Sequence, residues 1–112
     1  MLTPGDVVRI GLGVPTGSEA GLSRPAVVVT AGLLLTQGPR VVHAVPLTTA
    51  LRGYESEVYV AADPANGLEA DSAAQCQHIR AIATERVEVT IGNVGPAVLA
   101  QVREVLVVLL DL

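Results

Sequence analysis

The sequence predicts a mainly β fold, a small barrel of short strands followed by one C-terminal helix. Short apolar runs, some alternating with polar residues, are separated by turn-forming residues at intervals of roughly ten positions. One helical pattern closes the chain. At 112 residues the chain has the length of a single domain, and we expect residues 1–112 to form one.

The pattern of β-strands recurs along the chain, at residues 6–12, 26–30, 41–46, 57–61, 72–79 and 87–91. The second of these segments is a continuous apolar and β-branched run, which is typical of a central strand buried on both faces. Residues 31–40 favour at most one helical turn, at Leu33-Leu34-Leu35. A tight turn or a one-turn helix is expected around residues 84–86.

The C-terminal helix is the clearest single element. Gly95 can cap it, and Pro96 suits the first helical position. Apolar residues then recur at spacings of four, three and four, at Val98, Val102, Val105 and Leu109. Further leucines widen this stripe beyond what a solvated surface helix needs. The helix is therefore either unusually buried or in contact with a partner along part of its surface.

Composition limits the core and the kinds of ligand. Half of the residues are hydrophobic but only 2% are aromatic, so the core must consist of Val, Leu, Ala and Ile. The formal net charge of −4 argues mildly against non-specific binding to nucleic acid or to an anionic membrane. All seven basic side chains are Arg, and a polyanionic substrate would require several of them to cluster at one site.

The sequence gives no sign of a metal, a cofactor or a membrane segment. Cys76 is the only cysteine, so it cannot form an internal disulfide, and we expect it to be a buried thiol. No His or Cys residues have the spacing of a zinc site, and we expect no cofactor. No signal peptide is visible, and the longest apolar stretch, residues 105–110, is too short to span a bilayer. We therefore expect a cytoplasmic protein that does not enter membranes.

Two short segments carry the residues best suited to act on a phosphodiester. Arg24 precedes Pro25, which directs the chain into a strand, so the guanidinium is placed at the start of that strand. There it can hold a phosphate with two hydrogen bonds. Thr48 and Thr49 end the next strand, and a hydroxyl there can donate to a phosphate or leaving oxygen. Taken alone, Arg24 is more often a solvated or paired arginine, and each threonine more often a turn residue.

The two histidines are His43 and His78, and a pair of imidazoles is a natural acid–base set for RNA cleavage. His43 lies inside a predicted strand, where a structural role is the commoner one. His78 is close to Gln77 and Arg80 in the sequence and is the better candidate for a site. The carboxylates, Glu19 among them, have no spacing that forces them together.

Several segments follow one another in an order and spacing that together are specific, although no single one is. They are Gly5-Asp6-Val7, Gly17-Ser18-Glu19, Arg24-Pro25-Ala26-Val27-Val28-Val29, Val45-Pro46-Leu47-Thr48-Thr49, Gly53-Tyr54-Glu55-Ser56-Glu57-Val58, Gly67-Leu68, Asp71-Ser72 and Ile79-Arg80-Ala81-Ile82, followed by the closing helix. On these segments the chain resembles the MazF/PemK family of toxin endoribonucleases over nearly its whole length.

The resemblance implies an SH3-like β-barrel with helices, a homodimer, and a cognate MazE-like antitoxin whose tail covers the RNA groove. It also implies metal-independent cleavage of single-stranded RNA, chiefly mRNA, at short sequence motifs. Carried over by motif, the catalytic residues would be Arg24 and Thr48. The substrate-binding residues would be Glu19, which supports its loop, and Thr49, Arg52, His78 and Arg80. His78 stands where relatives commonly carry Gln.

Under this interpretation the 2′-hydroxyl of RNA attacks the adjacent phosphate and leaves a 2′,3′-cyclic phosphate and a 5′-hydroxyl. We expect Arg24, Arg52 and Arg80 to lie near one groove. Two other interpretations stay open. One is a CcdB-like toxin that binds DNA gyrase, although the chain has no Trp and ends in Leu109-Leu110-Asp111-Leu112. The other is a non-catalytic barrel that serves as an interaction module.

Overall fold

The structure is a computed structural model, and it describes residues 1–11 and 23–112. Glu19 and most of the loop around it lie outside the described residues. The strands are β1 (Asp6–Gly11), β2 (Ser23–Val28), β3 (Val41–Thr48), β4 (Glu57–Val60), β5 (Ser72–Gln75), β6 (Arg80–Ala83) and β7 (Val87–Asn93). The helices are α1 (Gly32–Leu35) and α2 (Gly95–Leu110), with 3-10 turns at Cys76–His78 and Thr84–Arg86.

The strands form one antiparallel sheet in the order β4-β5-β3-β2-β1-β7, and β6 pairs with β3 beside this path. The prediction of a mainly β fold with a C-terminal helix is confirmed. Within the described part of the chain no strand pair closes the sheet into a ring, since β4 and β7 end the path. The molecule is therefore barrel-like, with an open sheet.

Strand β3 lies at the centre of the sheet. One of its edges pairs with β2, and the other edge is shared by β5 and β6. Val41 to Ala44 pair with β6, whereas Leu47 and Thr48 pair with β5. The chain must turn between β5 and β6 to reach both, and it does so through the 3-10 turn at Cys76–His78. The prediction of one strand over residues 72–79 was wrong for this reason.

Apolar residues are buried on both faces of the sheet because its strands alternate their side chains. The first core cluster contains Val7, Val27, Val45 and Cys76, and helix α2 covers it with Val102 and Leu106. The second cluster lies on the opposite face and contains residues of β1, β2, β3 and β6 together with Leu35 of α1. In β2, Ala26, Val27 and Val28 are all buried, which confirms a central strand here, although it spans Ser23–Val28 and not residues 26–30.

Helix α2 begins at Gly95, and Pro96 lies in its first turn as predicted. Val94 is the N-cap and has no side-chain capping bond, so the expectation that Gly95 caps the helix was wrong. The backbone N–H of Gly95, the first helical residue, donates instead to Oδ1 of Asn93 at 2.7 Å. Only the residues facing the sheet are buried, namely Leu99, Val102 and Leu106. The last turns are exposed, at Val107, Val108, Leu109 and Leu110. Of the two alternatives for this helix, the structure therefore excludes an unusually buried one. Within residues 1–11 and 23–112, no helix is long and apolar enough to cross a bilayer.

Candidate active site

A pocket of about 350 Å³ opens on the face of the sheet that carries the second core cluster, and we refer to it as the Arg24 pocket. Arg24 of β2, His78 of the 3-10 turn and Arg80 of β6 line it, and all three side chains are exposed. Its floor is apolar and comes from the second core cluster, through Ile10, Ala26, Ala44 and Ile82. Two cations and an imidazole thus surround an apolar floor.

Strand pairing explains why residues far apart in sequence meet at this pocket. Arg24 pairs with Ile10 across β2 and β1, and Arg80 pairs with Ala44 across β6 and β3. Paired residues in neighbouring strands project their side chains on the same face. Each arginine therefore stands beside a floor residue, on the face that carries the second core cluster.

Thr48 lies on the same face of the sheet by register. The last paired residues of β2 and β3 are Ala26 and Pro46, and Arg24 and Thr48 are each two positions beyond that pair. Because side chains alternate along a strand, both project towards the face of Ala26 and Pro46. Thr48 does not line the pocket, whereas Pro46, two positions earlier on the same face of β3, does.

The hydroxyl of Thr48 has a local hydrogen bond. Its Oγ1 accepts from the backbone N–H of Ala50 at 3.1 Å, which fixes the oxygen at the end of β3. A hydroxyl that accepts one bond keeps its own proton for donation to another group. Thr49, the second threonine of the motif, follows the strand and is exposed.

Arg52 lies outside the lining of the Arg24 pocket, in the connection between β3 and β4. Its Nη2 donates to Oε2 of Glu57 at 2.7 Å, and its guanidinium carbon lies 4.7 Å from the ring centroid of Tyr54. The structure therefore gathers two of the three arginines expected near one groove and holds the third in an ion pair.

The sequence did not predict a role for Glu57, whose carboxylate binds Arg52 and also Gln77, the residue before His78. Its side chain is only 2% exposed, and one oxygen, Oε2, accepts from Arg52 and from Nε2 of Gln77, each at 2.7 Å. Burial opposes ionisation of this carboxyl, but hydrogen bonds from Gln77, Arg52 and Gln75 outweigh it and lower the pKa of Glu57 below its ordinary value. Glu57 stands in a strand pattern that predicts an alternating polar position and gives no hint of these partners.

The remaining candidates have other surroundings. His43 is exposed on β3 and does not line the Arg24 pocket. Cys76 is fully buried in the first core cluster, and burial raises the pKa of its thiol to about 11, as suits the buried, inert thiol expected. In residues 1–11 and 23–112, no group of three His, Cys, Asp or Glu side chains could hold a metal ion.

Comparisons with known proteins agree with this architecture. Residues 3–110 match the family described as PemK-like, MazF-like toxins of type II toxin–antitoxin systems. The chain is 40% identical to Endoribonuclease MazF9 of Mycobacterium tuberculosis (strain ATCC 25618 / H37Rv), over 100% of its own length and 98% of that protein.

Two solved structures show the same fold. MazF (Form-I) from Deinococcus radiodurans is 26% identical with a TM-score of 0.77, and the match covers 99% of this chain and 97% of that one. An endoribonuclease in complex with its cognate antitoxin from a mycobacterial species is 22% identical with a TM-score of 0.77, over 100% and 97% of the two chains. The resemblance found in the sequence is confirmed: the chain belongs to the PemK-like, MazF-like toxins of type II toxin–antitoxin systems.

Proposed function

We propose that this chain is the endoribonuclease toxin of its system and that it cleaves single-stranded RNA, chiefly mRNA, at short sequence motifs without a metal ion. The observation that carries the proposal is the Arg24 pocket, where Arg24, Arg80 and His78 surround an apolar floor. Its size suits one nucleotide, with the phosphate at the arginines and the sugar or base on the floor. Family membership and the activity named for the 40% identical relative support the same class of enzyme.

The proposed chemistry uses the nucleophile that RNA itself carries. The 2′-hydroxyl attacks the neighbouring phosphorus in line with the bond to the 5′-oxygen, which breaks to leave a 2′,3′-cyclic phosphate and a 5′-hydroxyl. Arg24 holds the non-bridging oxygens, where negative charge increases in the transition state. Thr48 donates a hydrogen bond to a phosphate oxygen or to the leaving oxygen and keeps its proton, with its own oxygen held at the end of β3. The leaving 5′-oxygen takes its proton from water.

The proton of the 2′-hydroxyl needs an acceptor, and His78 is the candidate in the pocket. An imidazole exchanges a proton near neutral pH, whereas a guanidinium keeps its protons and acts through charge. Arg80, on the opposite wall from β2, holds a neighbouring phosphate. Thr49 and Arg52 act on the RNA outside the pocket, and Glu19 supports its loop.

The primary test is cleavage of a mixed-sequence single-stranded RNA in EDTA. Wild-type protein should cut at defined sites, and Arg24→Ala should lose about a hundredfold in rate. Arg103→Ala is the matched control, since it removes an exposed arginine on α2 away from the pocket, and it should retain the wild-type rate. Intact RNA with wild-type protein, or equal losses in the two variants, would contradict the proposal.

A second test addresses the nucleophile. An RNA in which hydrogen replaces the 2′-hydroxyl at the mapped cut should not be cleaved there, because no internal nucleophile remains. Continued cutting at that position would exclude the proposed chemistry while leaving a nuclease activity in place.

We also propose a homodimer, a MazE-like antitoxin partner and a cytoplasmic site of action, where mRNA is found. Structures of related folds include MazE–MazF complexes from Deinococcus radiodurans. The apolar residues exposed on the last turns of α2, Val107 to Leu110, are of the kind that a partner covers. Light scattering of the purified protein should give the mass of two chains, and a stable monomer at micromolar concentration would contradict the dimer.

A further inference from the structure

Tyr54 is an exposed aromatic side chain with a cation fixed against its ring. The chain has two Tyr and neither Phe nor Trp, so aromatic surface is scarce. Tyr54 is 52% exposed, and the guanidinium carbon of Arg52 lies 4.7 Å from its ring centroid. A guanidinium at this distance from the centroid makes a cation–π contact, which restrains the ring without burying it.

The arginine is itself anchored by a buried carboxylate. Oε2 of Glu57 accepts from Arg52 at 2.7 Å, and the side chain of Glu57 is only 2% exposed. The backbone N–H of Glu57 also donates to the carbonyl oxygen of Tyr54 at 3.0 Å, so the turn that carries the ring is closed by a hydrogen bond. A ring held in this way loses little further conformational freedom when a ligand stacks on it.

The same carboxylate connects Tyr54 to the Arg24 pocket. Glu57 Oε2 accepts from Gln77 at 2.7 Å, and Gln77 is followed by His78, which lines the pocket. At the other end, the connection that carries Arg52 and Tyr54 starts directly after Thr48, the last residue of β3. By strand register Glu57 lies on the same face of the sheet as Thr48, since its partner Gln75 is two positions from Ala73, which pairs with Thr48. The anchor of the Tyr54 ring is therefore on the face of the sheet that carries the Arg24 pocket.

We infer that Tyr54 is a stacking surface for an unpaired base of the RNA substrate next to the nucleotide in the Arg24 pocket, with Arg52 and Glu57 as its positioning residues. This inference rests on the proposed function, because it assigns a subsite for the same RNA. Single-stranded nucleic acid is generally held by such stacking on aromatic rings and arginine planes. Tyr59 differs, since its hydroxyl donates to the Asp71 carboxylate at 2.6 Å and an acidic neighbour repels phosphate.

Intrinsic fluorescence gives a direct test, because the chain has no Trp and two Tyr. Tyr59→Phe leaves Tyr54 as the sole tyrosine, and Tyr54→Phe leaves only Tyr59. The probe is a 2′-O-methylated, mixed-sequence single-stranded RNA pool, which lacks the attacking hydroxyl. The RNA should quench the emission of Tyr59→Phe, whereas Tyr54→Phe should show only the attenuation due to RNA absorbance. Equal changes in the two variants would overturn the inference.

Cleavage of unmodified RNA of mixed sequence gives the functional test. Tyr54→Ala should reduce kcat/KM about fivefold to a hundredfold, mainly through KM, and should flatten the base preference at one position beside the cut. Tyr54→Phe should keep both, and Tyr59→Ala is the matched control that should leave both unchanged. Glu57→Gln should weaken the base preference at the same position, an effect that a merely structural role would not produce.

The outcomes separate this inference from the proposed function. If Tyr54→Ala keeps the rate and base preference while Arg24→Ala is inactive, the stacking surface is refuted and the nuclease stands. If RNA quenches Tyr54 although wild-type protein leaves RNA intact, the stacking surface is supported and the nuclease is refuted. If wild-type protein does not bind the methylated pool and also leaves unmodified RNA intact, both are overturned.

Discussion

Alkaline pH should destabilise this protein through the thiol of Cys76. The side chain is fully buried in the first core cluster, and burial raises its pKa from 9.0 to about 11. The folded protein therefore keeps this proton to higher pH than the unfolded chain does. Its contribution to stability is fully present below about pH 9 and is lost as the pH rises through about 11.

The size of the effect follows from the shift. A difference of about two pKa units corresponds to about 2.7 kcal/mol between the two limits, and about 1.4 kcal/mol is lost by pH 10. For a chain of this size, that loss lowers Tm by several degrees. The alkaline range is unusually simple here because all seven basic side chains are Arg, so no lysine titrates in it.

The assay is urea unfolding under reducing conditions at pH 7.5 and pH 10, followed by circular dichroism. Cys76→Ala is the comparison, since it removes the titrating group and leaves the two tyrosines in place. The wild-type free energy of unfolding should fall by about 1.4 kcal/mol more than that of the variant. Equal falls in the two proteins would refute the argument that burial holds the proton on Cys76.

Three further changes test the site and the fold. Thr48→Ser should retain RNA cleavage and Thr48→Val should lose about a hundredfold, and equal rates would show that the hydroxyl is not used. Val102→Ala should cost about 2 kcal/mol in urea unfolding and Val108→Ala less than about 0.5, because the first is fully buried and the second 83% exposed. Gly67→Ala should lower Tm more than Gly38→Ala; both glycines have positive φ, but only at Gly67 would a Cβ collide with a backbone carbonyl oxygen of β7, and the opposite order would contradict that packing.

The local elements of the fold could be predicted from sequence because their signals are local. The β-branched run of β2 and the apolar stripe of α2 depend on side-chain period alone. The break between β5 and β6 could not be predicted from residues 72–79 alone. It occurs because the two strands pair with different halves of β3. That requirement is set by residues about thirty positions away, and no pattern inside residues 72–79 records it.

The candidate site divides in the same way. Resemblance of motifs singled out Arg24 and Thr48, and the register of β2 and β3 places both on one face of the sheet. The sequence could not show that Arg52 is held by Glu57, since an exposed arginine and a strand glutamate are common residues with no fixed spacing. Nor could it show that Gln77, 20 residues further on, shares the same carboxylate oxygen.

An acidic protein that acts on RNA requires its charges to be unevenly placed, and the sheet provides a reason for the arrangement. The described residues that line the Arg24 pocket include two arginines and a histidine but no carboxylate, although the whole chain has a net charge of −4. The second core cluster ends at Ile10 and Ala44, and their strand partners are Arg24 and Arg80. Both arginines are exposed, and they stand on the face that carries the second core cluster. One strand register thus places both the residues that complete this core cluster and the two arginines that we propose as phosphate ligands.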